Sequence, residues 1–140
     1  MPARRFHPND FDGWLCMRTD LWPDSDIPDA RLWLAREDAV TIVAEREGTL
    51  IGFAEAGERA YADGCDTSPI AFLEGWYVAP QHRHQDIGRS LILAVEQWAQ
   101  ERGISELASD CLLENDDANR AHQSVGFKEV ERSIKFRKAI

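Results

Sequence analysis

The segment Ile70-Ala71-Phe72-Leu73-Glu74-Gly75-Trp76-Tyr77-Val78 constrains this chain more than any other part of it. Apart from Glu74 and Gly75 it is apolar throughout, the pattern of a strand buried at the centre of a sheet. Pro80 ends it, because proline lacks the backbone donor that a further ladder bond would need. A short polar loop follows, and Ile87, Leu91, Val95 and Trp98 then recur at helical spacing until Gly103. A central strand that feeds directly into an amphipathic helix specifies an α/β fold, a mixed central sheet flanked by helices.

The rest of the chain fits around that unit. Pro8-Asn9-Asp10 reads as a helix start, with Phe11, Trp14, Leu15 and Leu21 on a rough apolar face, and Trp22-Pro23 interrupts it. Asp26-Ile27-Pro28-Asp29 opens a second helix carrying Leu32, Trp33 and Leu34. Segments 41–44 and 50–54 read as hairpin strands joined by a turn at Gly48. The stretch 61–69 is polar and turn-rich, a loop. After the long helix, 104–110 is predicted as a strand and Asp116–Ser124 as a short helix. Gly126-Phe127 is predicted as a turn into a final strand through Ile134 and Phe136. No repeat or linker divides the chain, so a single domain over 1–140 is expected.

Charge and cysteine usage narrow the partners. The chain carries 25 acidic residues against 16 basic ones, a net charge of −9. Nucleic acid is not an expected partner, because neutralising phosphates needs a Lys/Arg-rich surface. A small cation would be drawn towards such a field, although acidity that serves only solubility would look the same. Apolar runs are too short to span a bilayer, so no membrane association is expected. The first residues lack the apolar stretch of a signal peptide. Cys16, Cys65 and Cys111 are scattered and read as free thiols, which makes the cytoplasm the expected setting. His7, His82, His84 and His122 form no helix-spaced ligand pair, so no metal is expected.

The loop from Ala79 to Ser90 carries chemistry. At a helix start, free backbone N–H groups converge and the helix dipole adds positive potential, so an anion is stabilised there. Arg83 and Arg89 add full charges. A pyrophosphate is a natural occupant, provided small residues stand where the backbone approaches it. An ordinary strand-to-helix connection would read the same way from this segment alone.

Here the residues become more specific. Arg83, Ile87 and Gly88, followed by Arg89-Ser90-Leu91-Ile92, resemble the acetyl-CoA-binding loop of the GNAT N-acetyltransferases, with its pattern Arg/Gln-x-x-Gly-x-Gly/Ala. Asn115 followed by Gly126-Phe127 resembles the second cofactor motif of that family. The resemblance covers nearly the whole chain. It implies the GNAT fold with a splayed central strand, and acetyl-CoA as co-substrate. It assigns cofactor contacts to Trp76, Val78, Arg83, Asp86, Ile87, Gly88, Arg89, Asn115 and His122. Two positions depart from the pattern. Asp86 stands where the family has glycine, and is expected to point to solvent or to pair with Arg83 or Arg89. His122 stands where many relatives have a tyrosine that protonates the departing CoA thiolate. An acid role and a packed helix histidine are both open for it.

Three further segments resemble one branch of aminoglycoside 6′-N-acetyltransferases: Leu21-Trp22-Pro23, then Asp63-Gly64-Cys65-Asp66-Thr67-Ser68-Pro69 with Phe72-Leu73-Glu74-Gly75, and Ala108-Ser109-Asp110 with Glu114-Asn115. The resemblance implies a polycationic aminoglycoside substrate, antibiotic resistance and a homodimer, for which the C-terminal strand is a candidate interface. It places Glu74 and Asp110 as catalytic carboxylates that also bind the substrate, and Trp22 and Tyr61 as rings against the sugars. For Glu74 the other reading is a structural carboxylate paired with an arginine. A GNAT enzyme for another amine, such as a polyamine or a protein lysine, and a non-catalytic acetyl-CoA-binding module are the competing functions.

Overall fold

A computed structural model of the chain describes residues 3–140. Five strands, β1 (Ala3–Arg5), β2 (Ala39–Arg46), β3 (Thr49–Arg59), β4 (Ile70–Val78) and β5 (Leu107–Ala108), form one sheet in that spatial order. Neighbours pair antiparallel except β4 and β5, which are parallel. A parallel pair requires a crossover, and α3 (Ile87–Glu101) supplies it. α1 (Phe11–Leu21) and α2 (Ile27–Leu34) cover the opposite face from α3, and α4 (Asp116–Ser124) follows β5.

Both layers follow from side-chain period. On α3, Ile87, Leu91, Val95 and Trp98 form the buried stripe and pack on Ile42, Ala54, Ala56, Ala71 and Leu73. On the other face Trp14, Met17, Ala30 and Trp33 pack on Val43, Phe53 and Tyr77. Each large side chain so buried contributes about 1.5–3 kcal/mol. The Trp33 indole donates to Thr41 Oγ1 at 2.8 Å, which satisfies both polar atoms inside that layer.

Several boundaries differ from the sequence-based expectation. Pro8–Asp10 is a turn of 3₁₀ helix that precedes α1, with the Asp10 carboxylate accepting from the His7 N–H at 2.7 Å. The hairpin strands extend well beyond 41–44 and 50–54, because their ends are carried by pairing with each other and not by apolar side chains. β1 was unmarked by apolar alternation, and it exists because β2 offers it an edge. The expected strand over 104–110 shrinks to Leu107–Ala108. The expected final strand through Ile134 and Phe136 is absent: residues 126–140 form no helix or strand, and these two side chains are 80% and 90% exposed. A strand needs a neighbour to take its backbone hydrogen bonds, and the two residues of β5 present almost no ladder.

Candidate active site

The site begins with one extra residue in β4. Glu55 pairs with Gly75 and Ala56 with Leu73, so Glu74 has no opposite number on β3 and forms a β-bulge. A bulge bends its strand and breaks the in–out alternation. Its effect is visible in the neighbours. Leu73 and Trp76 face the α3 layer, whereas both Glu74 and Gly75 face the layer of α1. The parallel ladder with β5 ends at Phe72–Ala108, just before the bulge. From Leu73 onward, β4 is splayed from β5.

The splay leaves backbone groups open. The N–H of Ala79 donates to Ile51 O on β3 at 2.8 Å, so by alternation the N–H groups of Val78 and Trp76 point the other way, into the gap. The Val78 carbonyl does so too, and Arg83 Nε donates to it at 2.8 Å. α3 starts at the same end of the gap. Its first intrahelical bond runs from Ser90 N–H to Asp86 O, which leaves the amides of Ile87, Gly88 and Arg89 at the positive end of the helix dipole.

Asp86 is the N-cap of α3 in the left-handed region, at φ 63° and ψ 9°. Glycine enters this conformation at no steric cost and aspartate at a modest one. The carboxylate points to solvent, 91% exposed, with Arg89 Nε 4.0 Å away. The two arginines do not converge: Arg83 turns back to Val78, and Arg89 reaches across to Ser124 O at the end of α4, at 2.8 Å. Gly88 has a reason of its own. A Cβ there would come within 3.2 Å of the Trp76 ring, whose Nε1 donates to Gly88 O at 3.2 Å. Small size at 88 therefore seats an indole, besides any approach of a ligand.

Trp76 continues into an aromatic wall. His122 meets it edge-on with centroids 5.3 Å apart, and Phe127 meets His122 at 5.2 Å. His122 is bound at both nitrogens, Nδ1 to Ala118 O at 2.7 Å and Nε2 to Ser109 Oγ at 2.8 Å. A carbonyl only accepts, so Nδ1 carries the proton, and in the neutral ring Nε2 receives the serine O–H. The Asn115 Oδ1 accepts from Ala118 N–H at 3.1 Å and caps α4. Asn115 thus anchors the helix that carries His122.

On the α1 face, Trp22 lies against Gly75, where a Cβ would run into its ring. Arg18 sits between Trp14 and Trp22, 5.4 and 5.0 Å from the two centroids. It donates from Nε to Glu55 Oε2 at 2.8 Å, and Trp14 Nε1 donates to the same oxygen at 3.1 Å. Glu55 is fully buried directly across the sheet from Gly75, and burial pushes its carboxyl up against the pull of Arg18. Glu74 also has an arginine: Arg59 Nη2 donates to both of its oxygens at 2.8 Å and Nε to Oε2 at 3.0 Å. Sequence reasoning left Glu74 open between base and structural carboxylate, and missed Arg59, Arg18 and Glu55. Glu55 repeats the signal that marked Glu74, a carboxylate inside an apolar strand. Nothing local marks Arg59, which meets Glu74 only because the β3–β4 hairpin brings them together.

Asp110 and Tyr61 are exposed. Asp110 lies two residues beyond β5. Ser109 Oγ stands 3.4 Å from Leu73 O, which keeps this segment near the point where the two strands part. Tyr61 donates to Asp63 Oδ1 at 2.7 Å within its own loop. That loop is clamped by Glu106 Oε1, which accepts from Thr67 N–H at 2.7 Å and Asp66 N–H at 2.8 Å. Among the described residues, no group of three or more His, Cys, Asp or Glu side chains is placed to hold a metal, and no helix is long and apolar enough to cross a membrane.

Over residues 9–127 the sequence matches the acetyltransferase (GNAT) family, and the chain belongs to it. Within that family it is similar to the aminoglycoside N(6′)-acetyltransferase type 1 of Stenotrophomonas maltophilia, 41% identical over 96% of this chain and 90% of the relative. The enzyme of the same name from Klebsiella aerogenes is 40% identical, over 99% and 96%. Among solved structures, the aminoglycoside 6′-N-acetyltransferase AAC(6′)-Ig from Acinetobacter haemolyticus superposes with a TM-score of 0.93 at 35% identity, over 100% of this chain and 99% of that one. AAC(6′)-Iy bound to the bisubstrate analogue CoA-S-monomethyl-acetylneamine gives 0.92 at 36%, over 99% and 97%.

Proposed function

We propose that this chain transfers the acetyl group of acetyl-CoA to the 6′-amine of an aminoglycoside, and that in doing so it confers aminoglycoside resistance. The observation that carries the reading is the bulge at Glu74-Gly75. It opens β4 towards α3 on one side, and on the other it sets Gly75 under Trp22 with the Glu74 carboxylate next to it in the strand. Relatives with these names, one of them bound to a molecule joining CoA to an acetylated aminoglycoside, support the substrate pair.

Acetyl-CoA supplies an acetyl thioester. The Trp76 and Val78 N–H groups fit the amide-bearing arm of such a molecule, and the amides of Ile87, Gly88 and Arg89 fit its phosphates. On the other side, an amine with a pKa near 10.4 is protonated at pH 7, and freeing its lone pair costs about 4–5 kcal/mol. Glu74 binds that ammonium and accepts its proton, directly or through a water. Asp110 holds a second ammonium, and Trp22 and Tyr61 lie against the sugar rings. The neutral nitrogen bonds to the acetyl carbon and the carbon–sulfur bond breaks. CoA leaves as a thiolate that takes up the proton the new amide nitrogen sheds. Whichever N–H of the Trp76–Val78 stretch the arm leaves free faces the carbonyl oxygen as it gains charge. Direct transfer of this kind needs neither a covalent enzyme intermediate nor a metal.

The setting we propose is the cytoplasm, where acetyl-CoA is available and the free thiols of Cys16, Cys65 and Cys111 persist. We also propose a homodimer. Its support is the exposed C-terminal segment, in which Ile134 and Phe136 find no cover among the described residues. Mass spectrometry of tobramycin incubated with the protein and acetyl-CoA tests the function, with a single added acetyl group as the expected product. Binding of acetyl-CoA without acetylation of any aminoglycoside would overturn it.

A further inference from the structure

The carboxylate assigned to the acceptor amine already holds a cation. Arg59 grips Glu74 in a fork, with three donor–acceptor distances of 2.8, 2.8 and 3.0 Å that engage both oxygens. A carboxylate gripped in this way has its best lone pairs filled, and a second cation brought to it meets the charge of the first. Glu74 offers its full set of lone pairs and its whole charge to a substrate ammonium only as Arg59 lets go.

The surroundings of Arg59 suit release. It is the last residue of β3, its side chain is 45% exposed, and the other face of its guanidinium rests on the Phe72 ring at 3.6 Å. The fork to Glu74 is its only ion pair among the described residues. A half-exposed pair of this kind is weak, because water competes for both charges. The contrast lies on the same sheet face, where Arg18 is held by Glu55, by Ser25 Oγ at 2.6 Å and between two indoles, with no exposed side from which to leave.

From these contacts we infer that Arg59 is a tethered competitor for the acceptor subsite: it fills the ammonium position on Glu74 in the resting enzyme and selects for acceptors that carry several positive charges. The inference rests on the reading of Glu74 as the carboxylate that receives the amine. An acceptor with one ammonium must displace Arg59 with that group alone. A polycation is first held by other carboxylates, such as the exposed Asp110 beyond β5, and its second ammonium then arrives at high effective concentration. Arg59 therefore raises KM for every amine, and raises it most for the least charged.

Steady-state kinetics of Arg59→Gln and Arg59→Ala, with tobramycin and with a monoamine such as cyclohexylamine, test this. The glutamine variant keeps a side chain over Phe72, so the pair of variants separates loss of charge from loss of packing. The expected result is an acceptor KM lower by about tenfold for the monoamine and by severalfold at most for tobramycin. The KM for acetyl-CoA should be unchanged, and selectivity for the polycation should narrow. An acceptor KM that rises in both variants, or a fall in kcat with KM unchanged, would show that Arg59 supports Glu74 and would overturn the inference alone. A wild-type protein that acetylates no amine would overturn the underlying function as well. An unchanged ratio between the two acceptors would remove the selectivity.

Discussion

On the face of the sheet covered by α1, two glutamates stand on adjacent strands and each is held by an arginine. Glu55 lies in the middle of β3 with no exposed surface, and Arg18 over it is 9% exposed. Glu74 lies at the bulge of β4, its side chain 27% exposed, with Arg59 at 45%. The chemistry of the two pairs is the same and the hydrogen-bond lengths are alike, so the difference between them is access to water. In the interior neither charge has an alternative partner, and the pair is fixed once the chain folds. At the bulge each charge can be hydrated, and the pair can exchange partners. One pair therefore sets the position of the Trp22 ring over Gly75, and the other offers its carboxylate to a substrate.

Removing one arginine at a time breaks the comparison most sharply. Arg18→Met leaves a buried carboxylate with no counter-ion, and unfolding in urea should show a loss of about 3–5 kcal/mol. Arg59→Met should cost less than about 1 kcal/mol in the same measurement. Equal losses would mean that exposure does not separate the two pairs. If the buried charge is the whole cost, adding Glu55→Leu to Arg18→Met should recover most of it.

Glu74→Gln tests the other half. It keeps size and hydrogen bonding but cannot take a proton, so kcat should fall by about 10²–10³-fold with little change in stability. Full activity in this variant would remove Glu74 as the base.

A third pair lies between these two in burial. Asp10, with 9% of its side chain exposed, is gripped by Arg4 at 2.8 and 2.9 Å, and the guanidinium holds its carboxyl below the usual carboxylate range. A carboxyl depressed on folding stabilises the fold above its unfolded value, near 3.9. That contribution is lost as pH falls through the lower, folded value. Asp10→Asn should therefore be less stable than wild type by about 2 kcal/mol at pH 7. The two proteins should converge as pH drops below about 4. A difference that persisted in acid would assign the loss to the cap on the His7 N–H instead.

The smallest effect is expected where a carboxylate has no firm partner at all. Asp86→Gly relieves the left-handed backbone and should add about 1 kcal/mol of stability. Because the carboxylate is almost fully hydrated, its removal should lower the acetyl-CoA KM by severalfold at most. An unchanged KM would show that Asp86 does not oppose the cofactor phosphates.

Local pattern was enough for much of this protein. The apolar run at 70–78, the period of Ile87, Leu91, Val95 and Trp98, and the breaks at Pro80 and Gly103 specified the strand–loop–helix unit. These signals are legible because each depends on residues a few positions apart, through side-chain period and backbone stereochemistry. The loop pattern around Arg83 and Gly88 pointed to the family that the whole-chain comparison identifies. Tertiary structure decided the rest. The two-residue β5, the added edge strand β1 and the unpaired segment after α4 depend on which backbone groups find a neighbour. The bulge at Glu74 is visible only as register against β3. The roles of Glu55 and Glu74 depend on how much water reaches each of them, and that follows from what packs above the sheet. Two carboxylates in similar apolar strands look alike along the chain, and the covering helix and the open bulge make them different.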